Sequence, residues 1–170
     1  MNPEDVDLDR YATDAGGQAE RRAALVDQLN WLADEAAALG PLLAGLPEWA
    51  LAQTALPGER SVKAALARLA VLDRTVYPGW LDAPEGAELS RDEPDVAGAE
   101  DHPLADLLAE LQSARAALVA RVEALPVADW DRPAVLDGAP ATRYDVLLAI
   151  VRHDADELRA LAYRLHEAHL

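Results

Sequence analysis

LAIVRHDADELRAL, residues 148–161, is the stretch on which the fold turns. Together with Val146, the residues Ile150, His153, Glu157 and Leu161 recur at intervals of four, three, four and four. That spacing keeps one face of an α-helix and suits no strand. The stretch holds neither Gly nor Pro and is rich in Ala and Leu, both strong helix formers. Its oddity is an imidazole and a carboxylate on the stripe that should be apolar. They are metal ligands, an acid/base pair, or polar groups satisfied by something across a core.

Outward from this helix the same periodicity returns three times. Thr142 with Asp145 resembles a capping box and starts the last helix, which reaches nearly to Leu170. From Gln18 to Ala44 the residues Leu25, Leu29, Leu32, Ala36, Leu39 and Leu43 keep helical spacing, with Gly40-Pro41 as a kink or early end. Ser61 is an N-cap for a second helix with the stripe Val62, Ala65, Leu69, Leu72 and Val76, closed near Tyr77-Pro78-Gly79. Pro103 suits the first turn of a third, with Leu104, Leu107, Leu111, Leu118, Val122 and Leu125 facing inward. The connections GLPEWALAQTALPGER, residues 82–101 and the DWDRPAVLDGAP stretch read as loops of about fifteen residues, long beside ordinary helix–helix turns. The expectation is an all-α four-helix bundle with long crossover connections, residues 18–170, behind a flexible N-terminal arm at 1–17.

Composition narrows the function. The 170 residues suffice for one domain with a proper core. The formal charge is −16, with Lys63 the only lysine and no basic cluster, which argues against nucleic acid or an anionic membrane as partner. Eight carboxylates lie between Asp82 and Asp101, a pattern that reads as a solvated loop rather than a cation site. There is no cysteine, which excludes thiolate nucleophiles, thiolate metal sites and disulfides. No signal peptide or membrane-spanning run is visible, so the expected location is cytoplasmic. His102, His166 and His169 read as surface residues. Asp154 and Asp156 read as surface carboxylates beside His153, one of them a possible support for its ring. Trp49, Trp80 and Trp130 read as plugs at the bundle ends, and Trp31 as core or dimer face.

Three segments carry a resemblance. GERSVKAALARLAVLD resembles the second helix of DinB/YfiT-like proteins, LQSARAALVARVEALPVADWDRP their third, and RHDADEL their closing HD-x-x-HL motif. The resemblance implies a four-helix bundle with long crossovers, often homodimeric. It implies a divalent metal on three histidines, one on the second helix and a His-x-x-x-His pair on the fourth. It also implies thiol-dependent transferase, isomerase or hydrolase chemistry. Carried over by position, the second-helix histidine falls on Arg68, the first of the pair on His153 and the second on Glu157. The tryptophan common before the helix-two serine is here Arg60.

Two arrangements follow. In one, His153 and Glu157, a turn apart on one face, hold zinc or nickel with a substitute third ligand such as Asp73. In the other, Arg68 replaces the ion, pairs with Glu157 and leaves His153 beside them. An arginine about 5 Å from a divalent ion opposes it by about 6 kcal/mol at an effective dielectric near 20. It also has no lone pair to offer. The reading adopted is the second: a degenerate metal site, no cofactor, and a bundle that binds a small molecule or a protein. A metal-dependent enzyme of the thiol transferase or hydrolase type, using His153, Glu157 and Asp73, is the alternative. A metal-free enzyme is the third, in which Arg68 binds an anionic substrate group and His153 moves a proton. The expected partners are a small thiol or anionic ligand and a second copy of the chain.

Overall fold

A computed structural model describes residues 15–54 and 58–168. Four long helical segments make the bundle. The first is α1 (Ala15–Leu43), followed by the short α2 (Glu48–Ala52). The second runs through α3 (Val62–Val71), a π-turn at Leu72–Val76 and α4 (Tyr77–Asp82). The third and fourth are α5 (Leu104–Glu123) and α6 (Arg143–Ala168). Most of the expected arm lies outside the described residues, and its last three positions already belong to α1.

The apolar stripes meet as their spacing requires. Leu25, Leu29, Leu32, Ala36, Leu39 and Leu43 of α1 are all buried, with Leu66 and Leu69 of α3, Leu111 and Leu118 of α5, and Ile150 and Leu161 of α6. The principal packing pairs are α1 with α5 and α6, and α3 with α5 and, more lightly, α6. Consecutive bundle helices, α1 then α3 and α5 then α6, therefore sit diagonally. Long connections are what allow this, because a tight turn would place such helices side by side.

Caps and prolines set the boundaries. The Ala64 N–H donates to Ser61 Oγ at 3.0 Å, the expected N-cap. At α6 the Thr142 N–H and hydroxyl both donate to Asp145 Oδ2 at 2.7 Å, and the Asp145 N–H donates back to Thr142 Oγ1 at 3.3 Å. Gly40-Pro41 does not end α1, which runs to Leu43. A proline so near a helix end removes a single backbone bond. The second helix also passes its Tyr-Pro-Gly stretch and ends at Asp82. Its π-turn, where the Tyr77 N–H reaches back to Leu72 O, shifts the register just before Pro78, whose missing N–H would break an α pattern.

Two connections hold more structure than loops. Residues Pro133–Leu136 (β2) and Ala139–Thr142 (β3) form an antiparallel hairpin, and Glu88–Leu89 (β1) adds to β2 in parallel. Asp137 at φ +51° and Gly138 at φ +81° make its two-residue turn. Asp-Gly is the usual pair for a turn needing positive φ at both positions. This small sheet ties the acidic segment 82–101 to the chain entering α6. The tryptophans divide: Trp80 and Trp130 are buried, whereas Trp49 is 65% exposed and Trp31 39%. Trp49 is therefore no plug and Trp31 no core residue. No described helix is long and apolar enough to cross a membrane.

Candidate functional site

Facing polar positions on α3, the π-turn, α5 and α6 meet inside the bundle. Arg68 comes from the last turn of α3, Asp73 from the π-turn, Tyr77 from the start of α4 and Arg115 from mid-α5. His153, Asp154 and Glu157 come from α6. The π-turn matters locally, because its offset brings Asp73 and Tyr77 inward together.

Arg68 is the hub of the outer half. Its side chain is 6% exposed, and Nη1 lies 3.1 Å from His153 Nε2 and 3.4 Å from Glu157 Oε1. Its Nε and Nη2 donate to the two oxygens of Glu93 at 2.8 and 3.2 Å, a side-on bidentate pair. Glu93 also pairs with Arg60. Arg68, His153 and Glu157, the three positions that the family resemblance groups, lie together in the geometry. Glu93 was not expected. It lies in the acidic segment taken for a solvated loop, and that segment instead folds onto the basic residues of the second helix. Glu100 accepts from the Ser61 hydroxyl at 2.8 Å, and its carbonyl accepts from buried Lys63 at 3.0 Å. Nothing local in the sequence around residue 93 signals this contact.

His153 links the hub to a deeper cluster. A guanidinium only donates, so Nε2 accepts from Arg68, and the ring proton sits on Nδ1. Nδ1 lies 3.0 Å from both Tyr77 Oη and Asp154 Oδ1, and the Tyr77 hydroxyl donates to Asp154 Oδ1 at 3.2 Å. Asp154 is fully buried and so is not a surface carboxylate; Asp156, exposed and paired with Arg159, is one. Behind it Arg115 Nη2 faces Asp154 Oδ2 at 2.6 Å, and Arg115 Nε donates to Asp73 Oδ2 at 2.6 Å. Asp73 is therefore a partner of Arg115, not of Arg68. Arg115 and Asp154, both buried, stand where helical spacing points inward. Arg115 falls between Leu111 and Leu118 on the inward stripe, and Asp154 lies four residues before buried Leu158.

The charges explain the titration behaviour. Two carboxylates share one guanidinium, with all three side chains at most 1% exposed. Burial pushes the Asp73 carboxyl up to about 7, the charge of Asp154 adds to the rise, and Arg115 opposes it. Protonated Asp73 leaves the trio neutral, and its Oδ1, without a hydrogen-bond partner among the described residues, is free to carry the proton. Burial, and then the negative charge of Asp154, push the Tyr77 phenol well above its usual value. Burial lowers the Arg68 pKa, but the Glu93 hydrogen bond and the charges of Glu157 and Glu93 outweigh it, and the net direction is up. The hydrogen bond from Arg68 holds Glu93 below its usual range.

A divalent ion, which the resemblance implies, does not fit this donor set. The imidazole nitrogen that would ligate it is engaged by an obligate donor, and Glu157 faces the same cation. Asp73 gives Oδ2 to Arg115, whose positive charge opposes an ion beside it. Among the described residues no group of three or more His, Cys, Asp or Glu is arranged to hold a metal.

Residues 32–161 match the sequence profile of the DinB superfamily, and the chain belongs to that superfamily. Among solved structures it is similar to YfiT from Bacillus subtilis, described as a probable metal-dependent hydrolase with an unusual four-helix bundle topology. The TM-score is 0.67 at 14% identity, covering 88% of this chain and 86% of that one, a likeness of fold. No curated protein matches by sequence.

Proposed function

We propose that this member of the DinB superfamily is a metal-free ligand-binding bundle, in which Arg68 takes the place that the family resemblance assigns to an ion. The observation that carries the reading is the 3.1 Å contact between Arg68 Nη1 and His153 Nε2. Arg68 faces Glu93 and Glu157 and Arg60 adds a second positive charge at Glu93, so two cations meet two acids without a metal. The ligand is a small molecule with an anionic group, and the working form is a cytoplasmic homodimer. Trp31 of α1, 39% exposed, supports a second copy on that face.

The second reading is a divalent-metal-dependent enzyme using His153, Glu157 and a substitute ligand such as Asp73. What favours it is the likeness to YfiT and its description as a probable metal-dependent hydrolase. It requires Arg68 to leave His153 and an ion to sit beside Arg115, the partner of Asp73.

Elemental analysis separates the two on protein prepared without a histidine tag. The proposal expects metal far below one equivalent per chain, and a melting temperature unmoved by added zinc, nickel or chelator. A stoichiometric zinc or nickel ion whose loss follows His153→Ala would replace it with the second reading.

A further inference from the structure

We infer that the Nε–Nη2 edge of Arg68 is a receptor for a small monocarboxylate ligand, held closed by Glu93 as a tethered stand-in. The inference rests on the metal-free reading of the Arg68 site and names the class of ligand that site takes.

The two halves of the Arg68–Glu93 pair are built differently. The guanidinium belongs to a packed helix and is 6% exposed. The carboxylate is 54% exposed and comes from the irregular segment between β1 and the 3-10 turn at Ala99–Asp101. A buried fork of two parallel donors fits a planar two-oxygen acceptor, and Glu93 supplies one through both of its oxygens. Glu93 also keeps a second partner in half-exposed Arg60, so it can leave Arg68 without becoming an unpaired charge.

Charge and space select the ligand. Replacing Glu93 by another monoanion leaves the site's charge unchanged. A phosphate dianion would add negative charge beside Glu157 and Asp154, which already face this cluster. An open groove of about 480 Å³ shares His153 and Glu157 with the Arg68 cluster. Its remaining walls offer apolar Leu136, Leu148 and Ala149 to the short organic tail of a carboxylate, with Arg91 and Arg152 set against Asp145 and Asp156.

The test uses the full chain with Glu93→Ala, a change on an exposed segment, and propionate as probe. A tethered carboxylate competes at an effective concentration of order millimolar. Calorimetric titration should therefore show saturable binding about tenfold tighter in Glu93→Ala than in the wild type. Neutral propionamide, and chloride at equal ionic strength, should give no saturable signal. Arg68→Met in the same background should abolish binding, and the propionamide comparison stands if that variant does not fold. Equal responses of wild type and Glu93→Ala, or of propionate and propionamide, overturn the inference. Elemental analysis of the same preparation keeps the two failures apart. Bound metal sinks the metal-free reading, while metal-free protein that ignores propionate sinks only the carboxylate receptor.

Discussion

Arg68 Nη1 and His153 Nε2 stand 3.1 Å apart across the interface of α3 and α6, and only one of them can donate. The ring is therefore the Nδ1–H tautomer, its proton directed at Tyr77 and Asp154. Nitrogen-15 NMR should show the neutral His153 ring with its proton on Nδ1 rather than Nε2, with Tyr77→Phe perturbing Nδ1 more than Nε2. A proton on Nε2 in the wild type would contradict the pairing.

Arg68→Ala should keep the fold and lose about 1–2 kcal/mol in chemical denaturation. It removes charge-assisted hydrogen bonds, yet half-exposed Glu93 and partly exposed Glu157 regain water. An unchanged denaturation midpoint would show that the pairing contributes nothing.

The Asp73–Arg115–Asp154 trio behaves differently because water cannot reach it. Arg115→Met alone strands the buried Asp154 carboxylate, leaves Asp73 without its donor and should cost about 3–5 kcal/mol. The combined Arg115→Met, Asp73→Leu, Asp154→Leu chain removes every charge together and should be near neutral or more stable. Equal losses in the single and triple variants would refute that account.

Folded Asp73 holds its proton up to about pH 7, whereas an unfolded aspartate releases it near 3.8. Its stabilising contribution is thus complete below the unfolded value and is lost as pH rises through the folded one. Between about pH 4 and 7 this single group tilts stability downward by at most about 1.4 kcal/mol per pH unit. Glu93 acts with opposite sign and lower in pH. Its carboxyl is depressed, so its contribution is present above 4.5 and lost on acidification below that. Asp73→Asn should flatten the slope between pH 4 and 7 and leave the acid limb; an unaltered slope would place the proton elsewhere.

Arg68→His with Glu157→His rebuilds the three-histidine pattern that the resemblance implies around His153. Zinc or nickel should then bind near one equivalent and raise the melting temperature, with no such response in the wild type. A wild type that binds as well as the double variant would remove Arg68 from its proposed role.

Much of this architecture was legible before any coordinates. Spacings of three and four named the α1 core from Leu25 to Leu43, and the Ser61 and Thr142–Asp145 caps fell where those side chains suggested. Arg115 and Asp154 were equally legible in principle, since each stands at an inward position of its helix. The Asp137-Gly138 pair is a readable hairpin signal inside a connection whose prolines otherwise point to a loop. Glu93 and the diagonal helix order had no local signature, because both depend on where connections of many residues come to rest.

Side-chain periodicity and capping chemistry act over one or two helical turns, so the chain alone determined the helices, their inward faces and the place of His153 and Glu157 on one of them, while the family resemblance pointed to Arg68. Which charge meets which was decided only by tertiary packing. The π-turn rotated Asp73 toward Arg115, and the small sheet brought the segment carrying Glu93 to Arg68. Desolvation makes those pairings matter: once the bundle excludes water, each buried charge must find its opposite across the sequence, and only the assembled fold says which one is within reach.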